Sequence, residues 1–263
     1  MSKQNSSRSQ WSPDIEFGET FGVDRSERCI EIPWAQKWIE NRDRILDIGF
    51  ALSDIDWLRA LLSKRSAGAE LTAVDIVLPE RVSSRYPEDI REAALNVPII
   101  VGDVRTASVP VAAFDAVTCV STIEHVGFDI KGSSEQSAFD RWVTGEETPD
   151  SRDPQATVDV MAAIARSLEI GGIALVSVPM GRGGAVLVQD KLGYFTRQQE
   201  YNAESWTGIA DAKGFRLLEE RFFTFLGEAG WQEVSSPSDL AHQTAWLTPH
   251  ATGVALAALE RTS

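Results

Sequence analysis

Three aspartates and a Glu–His pair stand where predicted strands end. Asp47, Asp75 and Asp103 each close or follow an apolar run, and Glu124 and His125 follow a fourth run. Because parallel strands bring their carboxyl ends to one edge of a sheet, we expect these side chains to face a common ligand. The carboxylates can accept from hydroxyl and amine donors, and the imidazole can accept a proton near neutrality.

The positions of the three aspartates describe one ligand in particular. A carboxylate at the end of the second strand can accept from both hydroxyls of a ribose, and one after the third strand can accept from an exocyclic adenine amine. A carboxylate at the end of the first strand attracts an α-ammonium. These groups together are an adenosine attached to an amino acid, which is S-adenosylmethionine. One such aspartate is as often a turn or cap residue, so the prediction depends on all three.

A nicotinamide dinucleotide is disfavoured by the turn after the first strand. The dinucleotide fingerprint requires G-x-G-x-x-G, whereas Gly49 is followed by Ala51 and Asp54 at the other two glycine positions.

Apolar runs alternate with helical patterns along most of the chain. The runs that predict seven strands are RILDIG, ELTAVDIV, VPIIVGD, FDAVTCVST, IALVSVP, FRLLEERFFTFL and GVALAALER. The segments that predict the intervening helices are DIDWLRALLS, capped by Asp54, then PEDIREAAL, DPQATVDVMAAIARSLEIGG and AESWTGIADAKG. This alternation predicts an α/β fold, a parallel sheet with helices on both faces.

The third of these helices is predicted to end at Gly171. Its apolar residues at helical spacing are predicted to share a buried face: Val158, Met161, Ala162, Ala165 and Leu168.

Residues 1–43 are predicted to be an N-terminal tail and a capping helix. The first ten residues are polar and lack the apolar core of a signal peptide. The helix is expected to open near Pro33 and to pack through Trp34, Trp38 and Ile39.

Two stretches, 127–152 and 181–202, are longer than the short loops that connect strands and helices in such a fold. They are expected to be loops that line the acceptor site. Their basic residues could neutralise a diphosphate or balance nearby acids: Lys131, Arg141, Arg152, Arg182, Lys191 and Arg197. Their acids could hold a divalent cation or be solvated surface: Asp129, Asp140, Glu146, Glu147, Asp150 and Asp153.

Composition narrows the classes of partner. The 263 residues carry a formal net charge of −14, which disfavours nucleic acid over most of the surface. No apolar run is long enough to span a membrane. The two cysteines, Cys29 and Cys119, form no disulfide framework, and Cys119 lies in an apolar run that predicts burial. A cytoplasmic location is expected.

The motifs LDIG, AVDI, VGDV, FDAVTCVSTIEHVG and LEIGGIALVSVP occur in the order found in class I, Rossmann-like S-adenosylmethionine-dependent methyltransferases. The chain resembles this family from Arg44 to Arg261. The resemblance implies a doubly wound, mostly parallel seven-stranded sheet with an antiparallel last strand, in a methyltransferase domain spanning residues 44–263. The cofactor contacts that it implies are Asp47, Gly49, Asp75, Ile76, Asp103, Val104 and Ser121.

The first motif departs from the family's usual D-x-G-x-G-x-G, because Ala51 and Ser53 replace two glycines. Ala51 is small enough to leave room for a ligand, and Ser53 can cap the following helix. We expect the turn to survive with an altered affinity for the cofactor.

The N-terminal stretch, STIEHVG and VPMGR are similar to sugar O-methyltransferases of antibiotic pathways that act on nucleotide-linked deoxyhexoses. This resemblance implies methylation of a sugar hydroxyl assisted by a general base, and it leaves open a divalent cation such as Mg²⁺ or Ca²⁺. His125 follows the fourth strand and can take up a proton near neutrality, so it is the candidate base. Glu124 could orient the imidazole or contact the cofactor. The alternatives are a fold-supporting role for this pair, a lipid, phenol or carboxylate acceptor, and a non-catalytic scaffold. A homo-oligomer is compatible with the sequence.

Overall fold

The computed structural model describes residues 25–128, 152–189, 195–240 and 251–263. The strands in chain order are β1 (Arg44–Ile48), β2 (Glu70–Asp75), β3 (Ile99–Val101), β4 (Phe114–Val120), β5 (Leu168–Pro179), β6 (Gly184–Gln189), β7 (Phe195–Glu200), β8 (Phe215–Phe225), β9 (Trp231–Val234) and β10 (Gly253–Arg261). The α-helices are α1 (Arg28–Ile39), α2 (Ile55–Ser66), α3 (Pro79–Val82), α4 (Glu88–Leu95), α5 (Ala156–Ser167) and α6 (Ala203–Ala210).

Eight strands form one sheet in the order β3-β2-β1-β4-β5-β10-β8-β9. The first five strands in this order are parallel to one another. Strand β10 runs antiparallel to both β5 and β8, and β9 runs antiparallel to β8. The chain order reverses between β1 and β4, and in doubly wound sheets a ligand binds at the carboxyl ends of the strands beside such a reversal.

Helices cover both faces of this sheet. One apolar core packs Trp34 of α1, Leu58 of α2 and Ile90 of α4 against one face. The other core packs Ile164 of α5 and Trp206 of α6 against the opposite face. The predicted doubly wound architecture with an antiparallel last strand is therefore confirmed.

Among the described residues, the main sheet has one strand more than the seven expected. The extra strand, β9, follows a turn in which Gly227 and Gly230 both have positive φ, and it pairs with β8 from Phe222 to Phe225. The GEAG segment that forms this turn is a hairpin signal that the sequence analysis did not use.

The stretch 181–202 was expected to be a loop, and this expectation was wrong. Strands β6 and β7 pair as an antiparallel hairpin outside the main sheet. The run of apolar, partly β-branched residues in AVLVQ favours an extended chain, and it finds a partner within the same stretch. Of the stretch 127–152, only Gly127, Phe128 and Arg152 lie among the described residues.

The boundaries of two helices differ from expectation. Helix α1 begins at Arg28, so Pro33 lies inside it and Trp34, Trp38 and Ile39 are buried as expected. Helix α5 ends at Ser167, and Gly171 lies within β5. The helix stops earlier than predicted because Leu168 already pairs with Phe114 of β4.

The predicted buried face of α5 was partly wrong. Met161 and Leu168 are buried as predicted, whereas Val158 is 52% exposed and Ala162 is also exposed. The other buried positions of the helix include Val160, Ala163 and Ile164. Both stripes have helical spacing in this alanine-rich segment, and the face that carries the larger Ile164 packs on the sheet. Among the described residues, no helix has both the length and the apolar character needed to cross a membrane.

Candidate active site

The turn after β1 keeps its shape without the second and third glycines. Gly49 adopts a left-handed conformation with φ 89°, and residues Phe50–Leu52 form one turn of 3₁₀ helix. The Ser53 hydroxyl donates to the Gly49 carbonyl over 2.9 Å. Asp54 then caps α2 by accepting from the Asp56 amide, as predicted. The serine that replaces a glycine therefore closes the turn through its side chain.

Gly49→Ala is expected to lose more stability than Gly68→Ala. Both glycines have positive φ, so alanine costs about 1–2 kcal/mol at either position. A Cβ at Gly49 would lie 2.5 Å from the Thr122 side chain, whereas a Cβ at Gly68 meets nothing within 4 Å. The clash should add about 1–3 kcal/mol at Gly49 alone. Urea denaturation of the two variants measures the difference, and equal losses would contradict the close packing of Gly49 on Thr122.

Asp75 at the end of β2 ties the turn after β1 to the second strand. Its side chain is buried, and its two oxygens accept from the amides of Ala51 over 2.7 Å and Val77 over 2.9 Å. The Tyr86 hydroxyl donates to the Ala51 carbonyl over 2.9 Å. A carboxylate offers about four acceptor positions, so two remain for ribose hydroxyls. Burial raises the pKa of Asp75, against the effect of these amides.

Asp103, after β3, forms a salt bridge with Arg105. Arg105 donates to both Asp103 carboxylate oxygens at 2.7–3.0 Å and also reaches Asp153 over 2.6 Å. Burial would raise the pKa of Asp103, but the hydrogen bonds and charge of Arg105 outweigh it and lower that pKa. An adenine amine would share this carboxylate with Arg105. Val104 is buried, and Ile76 after β2 is 55% exposed.

Asp47, near the end of β1, has one oxygen without a donor. The register between β1 and β4 pairs Asp47 with Thr118, whose hydroxyl donates to Oδ1 over 2.6 Å. The Trp57 indole donates to the same oxygen over 3.1 Å. The other oxygen, Oδ2, is buried and accepts from none of the residues that the structure describes. Burial raises the pKa of Asp47 to about 7.

The end of β4 is held by α1. Ser121 has a positive φ of 43°, and its amide donates to the carbonyl and the hydroxyl oxygen of Ser177 in β5. Its hydroxyl donates over 2.7 Å to the fully buried Glu31 of α1. Arg28 pairs with the second oxygen of Glu31. The left-handed conformation of Ser121, unusual for a residue with a side chain, is thus fixed from two sides.

Glu124 and His125 follow in a 3₁₀ turn, Ile123–His125. His125 Nδ1 lies 2.8 Å from the Arg197 carbonyl oxygen of β7, and a carbonyl can only accept. Nδ1 therefore carries the proton, and Nε2 carries the lone pair in the neutral ring. Glu124 Oε1 lies 3.7 Å from Nε2. Partial desolvation lowers the pKa of His125, whose side chain is 37% exposed, against the hydrogen bond to Arg197, and burial raises the pKa of Glu124 to about 8.

Arg152 supports this turn from behind, a role that the sequence analysis missed. Its guanidinium donates to the carbonyls of Ile123 and Val126 over 3.0 and 2.9 Å. It also donates to the hydroxyls of Thr157 and Tyr201, which bond to each other. Arg152 had been considered as a diphosphate ligand, but its donors are directed to these four acceptors. No short-range signal in the sequence links residue 152 to the end of β4.

The residues that sequence reasoning also missed are Glu27, Arg28 and Glu31 at the start of α1. All three interact electrostatically with Glu124. The sequence signal for them is three charged residues within ERCIEIPW, a segment whose other residues are apolar and suited to burial. Among the described residues, no group of three or more His, Cys, Asp or Glu side chains is arranged to hold a metal ion. Asp153 pairs with Arg105, and the other five candidate acids, Asp129 through Asp150, lie outside the described ranges.

The unliganded protein is expected to lose stability as the pH rises from about 4 to 8. Asp47 has its ordinary pKa of 3.8 raised to about 7, and Glu124 its 4.5 raised to about 8, by burial. The folded state therefore binds these protons more tightly than the unfolded chain, and this contribution disappears as the pH passes the folded pKa values. Thermal unfolding across this range measures the slope. Glu124→Gln should flatten it, whereas exposed Glu228→Gln should not; identical slopes would contradict the buried ionisation.

The fold is similar to that of solved structures. The sheet order, the antiparallel β10 and the flanking helices are those of a Rossmann-like α/β fold, which class I methyltransferases also have. A protein from Methanosarcina mazei described as an S-adenosylmethionine-dependent methyltransferase is similar with a TM-score of 0.53 at 15% identity, over 88% of this chain and 97% of that chain. The PH0226 protein of Pyrococcus horikoshii is similar with a TM-score of 0.52 at 15% identity, over 90% of both chains. At this identity the likeness establishes the fold.

No protein-family model matches the sequence. No curated protein matches it either.

Proposed function

We propose that this protein is an S-adenosylmethionine-dependent methyltransferase that methylates a hydroxyl group of a small molecule, with a sugar as the acceptor. The observation that carries the proposal is the position of three side chains at one edge of the sheet. Asp47 and Asp75 lie at the carboxyl ends of β1 and β2, and His125 follows β4 with its lone pair on Nε2.

The residues at this edge fit the cofactor. The buried Oδ2 of Asp47 lacks a donor among the described residues, and an α-ammonium would supply one. Asp75 retains acceptor positions for ribose hydroxyls, and the exposed Ile76 follows it as an apolar surface for a base. Gly49 has the positive φ that keeps the turn open in this family. When bound, S-adenosylmethionine supplies an electrophilic methyl group.

His125 is proposed to act as the general base. A hydroxyl is a weak nucleophile, and removal of its proton as the new bond forms lowers the barrier. The hydrogen bond from Nδ1 to the Arg197 carbonyl fixes the tautomer that places the acceptor lone pair on Nε2. The lowered pKa of His125, caused first by partial desolvation, keeps the ring neutral and able to accept at pH 7. Arg152 holds the turn that carries this ring.

The sugar acceptor is supported by the resemblance of STIEHVG and VPMGR to sugar O-methyltransferases. A non-catalytic scaffold is the second candidate, and the specific observation that favours it is the occupation of Asp103 by Arg105.

Calorimetry with S-adenosylhomocysteine separates these candidates, because a scaffold would not bind it. Methyl transfer from radiolabelled S-adenosylmethionine should then be measured on a panel of nucleotide sugars and glycosides. Binding with transfer to a sugar is the expected result. Binding without transfer to any of them would direct the search to lipid, phenol or carboxylate acceptors, and absence of binding would contradict the proposal.

A further inference from the structure

Three glutamates gather beside the end of β4, and we call them the glutamate cluster: Glu27, Glu31 and Glu124. All three are buried, at 8%, 0% and 2% exposure respectively. Glu27 and Glu31 come from the start of α1, and Glu124 comes from the turn after β4. The charges of Glu27 and Glu31 both act on Glu124, so the three carboxyl groups share one region.

The guanidinium of Arg28 faces the cluster. Arg28 pairs with Glu31 and lies 4.0 Å from Glu27, and its charge also acts on Glu124. His125, close to Glu124, is kept neutral at pH 7 by its lowered pKa, and a second guanidinium, that of Arg152, acts on His125 and donates to the Ile123 carbonyl. The three carboxyl groups therefore outnumber these two guanidinium groups. Burial first, and then the neighbouring carboxylates, raise the pKa of Glu27 to about 7 and that of Glu124 to about 8, against the charge of Arg28.

A separate observation points to a ligand. Glu124 Oε2 is buried, and none of the described residues donates a hydrogen bond to it. Buried carboxylate oxygens are normally satisfied by a donor, and an unsatisfied one in a native protein calls for an explanation. Glu31, in contrast, has both oxygens engaged, by Ser121 and Arg28. Glu124, whose Oε2 lacks a donor among the described residues, is also the glutamate that adjoins the proposed base.

We propose that the glutamate cluster binds a protonated amine carried by the methyl acceptor, with Glu124 Oε2 accepting from the ammonium group. The inference rests on the proposed function, since it concerns the acceptor of that site. The acceptor would be a hydroxyl compound that also carries an amine, and an amino sugar if it is a sugar.

An ammonium fits the cluster better than the other donors. A neutral hydroxyl could satisfy Oε2 but would leave the excess of carboxyl groups uncompensated. A metal ion needs several convergent oxygen ligands, and among the described residues no such group exists. An ammonium supplies both a donor and a positive charge.

The α-ammonium of the cofactor is proposed to bind at Asp47 and not at the glutamate cluster. The pKa of Asp47 is raised first by burial, lowered by hydrogen bonds from Thr118 and Trp57, and raised by the charge of Asp75. The pKa of Glu124 is raised first by burial; the charge of Arg28 lowers it, and the charges of Glu31 and Glu27 raise it. The two carboxyl groups follow different strands and differ in their hydrogen-bonding partners, so we assign the end of β1 to the cofactor and the region between β4 and α1 to the acceptor.

The test follows the carboxyl carbon of Glu124 by NMR in protein labelled with ¹³C-glutamate, with and without saturating S-adenosylhomocysteine. The probe is ethanolamine, a hydroxyl compound with an ammonium, and its control is ethylene glycol, which has the same size and no charge. Among the described residues, the charged or titratable groups near Glu124 are Arg28, Glu31, Glu27, His125, Arg152, and Tyr201 and Cys119, on both of which Glu124 acts.

Ethanolamine is expected to lower the pKa of Glu124 by roughly 1–3, as an opposite charge at contact distance does, while ethylene glycol leaves it unchanged. The exposed Glu228 serves as the internal control and should not respond to either compound. Through-bond spectra assign the resonance, and its loss in Glu124→Gln verifies the assignment.

Three results would overturn the proposal. They are no change with ethanolamine, an equal change with ethylene glycol, and a full decrease of the pKa with S-adenosylhomocysteine alone, which would assign the cluster to the cofactor. Failure of the proposed function is recognised separately, as absence of S-adenosylhomocysteine binding by calorimetry.

Discussion

His125→Ala is expected to bind S-adenosylhomocysteine with nearly unchanged affinity and to transfer methyl groups about 10²–10⁴-fold more slowly. The imidazole is tied to the Arg197 carbonyl through Nδ1, and Nε2 is the nitrogen that can take the hydroxyl proton. The contacts proposed for the cofactor are at Asp47 and Asp75, at the ends of other strands. Turnover and calorimetry on the same preparation measure both quantities.

The pH profile gives this prediction a second readout. Partial desolvation, followed by the charges of Arg28 and Arg152, lowers the pKa of His125 below its ordinary 6.5. A base must be deprotonated to act, so kcat/KM of the wild type should rise with pH through that lowered pKa and then level off. His125→Ala should lose this rising limb. Glu228→Ala, a change at an exposed residue, should keep both the limb and the rate. Near-normal turnover in His125→Ala, or a defect confined to cofactor affinity, would place the base elsewhere.

Asp75→Ala is expected to weaken S-adenosylhomocysteine binding by at least about tenfold. Hydrogen bonds from two ribose hydroxyls to a carboxylate are worth roughly 1.5–3 kcal/mol each. The same substitution removes the acceptor of the Ala51 and Val77 amides, so the turn after β1 should also loosen. Calorimetry measures the affinity, and urea denaturation measures the accompanying loss of folding free energy.

Asp89→Ala is the matched control for this prediction, because Asp89 is an exposed aspartate on α4. It should bind S-adenosylhomocysteine as the wild type does. Asp75→Asn separates the two roles of the carboxylate, since an amide oxygen can still accept from one backbone amide while the charge is lost. An unchanged dissociation constant in folded Asp75→Ala would disprove the ribose contact.

The repeating part of the fold could be predicted from the sequence because local patterns determine it. The strands ending at Asp47 and Asp75 are apolar runs, and Asp54 caps α2 through a hydrogen bond two residues away. Cys119 was expected to be buried and is fully buried.

The remaining features depend on contacts between distant residues. The buried face of α5 was partly mispredicted because two sets of apolar residues both have helical spacing. Only packing on the sheet determines which set is buried. The Arg152 side chain donates to the Ile123 carbonyl, 29 residues earlier in the chain. The hydrogen bond from Ser121 to Glu31 joins residues far apart in sequence. The positions of the strand-end residues could therefore be predicted from the sequence, whereas their supporting contacts from α1 could not.

The place of β10 has a consequence for how this protein folds. Residues Gly253–Leu259 are buried, and they insert between β5 and β8, both of which precede them along the chain. Until β10 arrives, β5 and β8 each present an unpaired edge, and such edges promote pairing with other molecules. Closing this gap requires contacts between residues far apart in sequence, which slows folding. A nascent chain would therefore carry open sheet edges until synthesis has passed β10, so its yield should depend on chaperones that shield them.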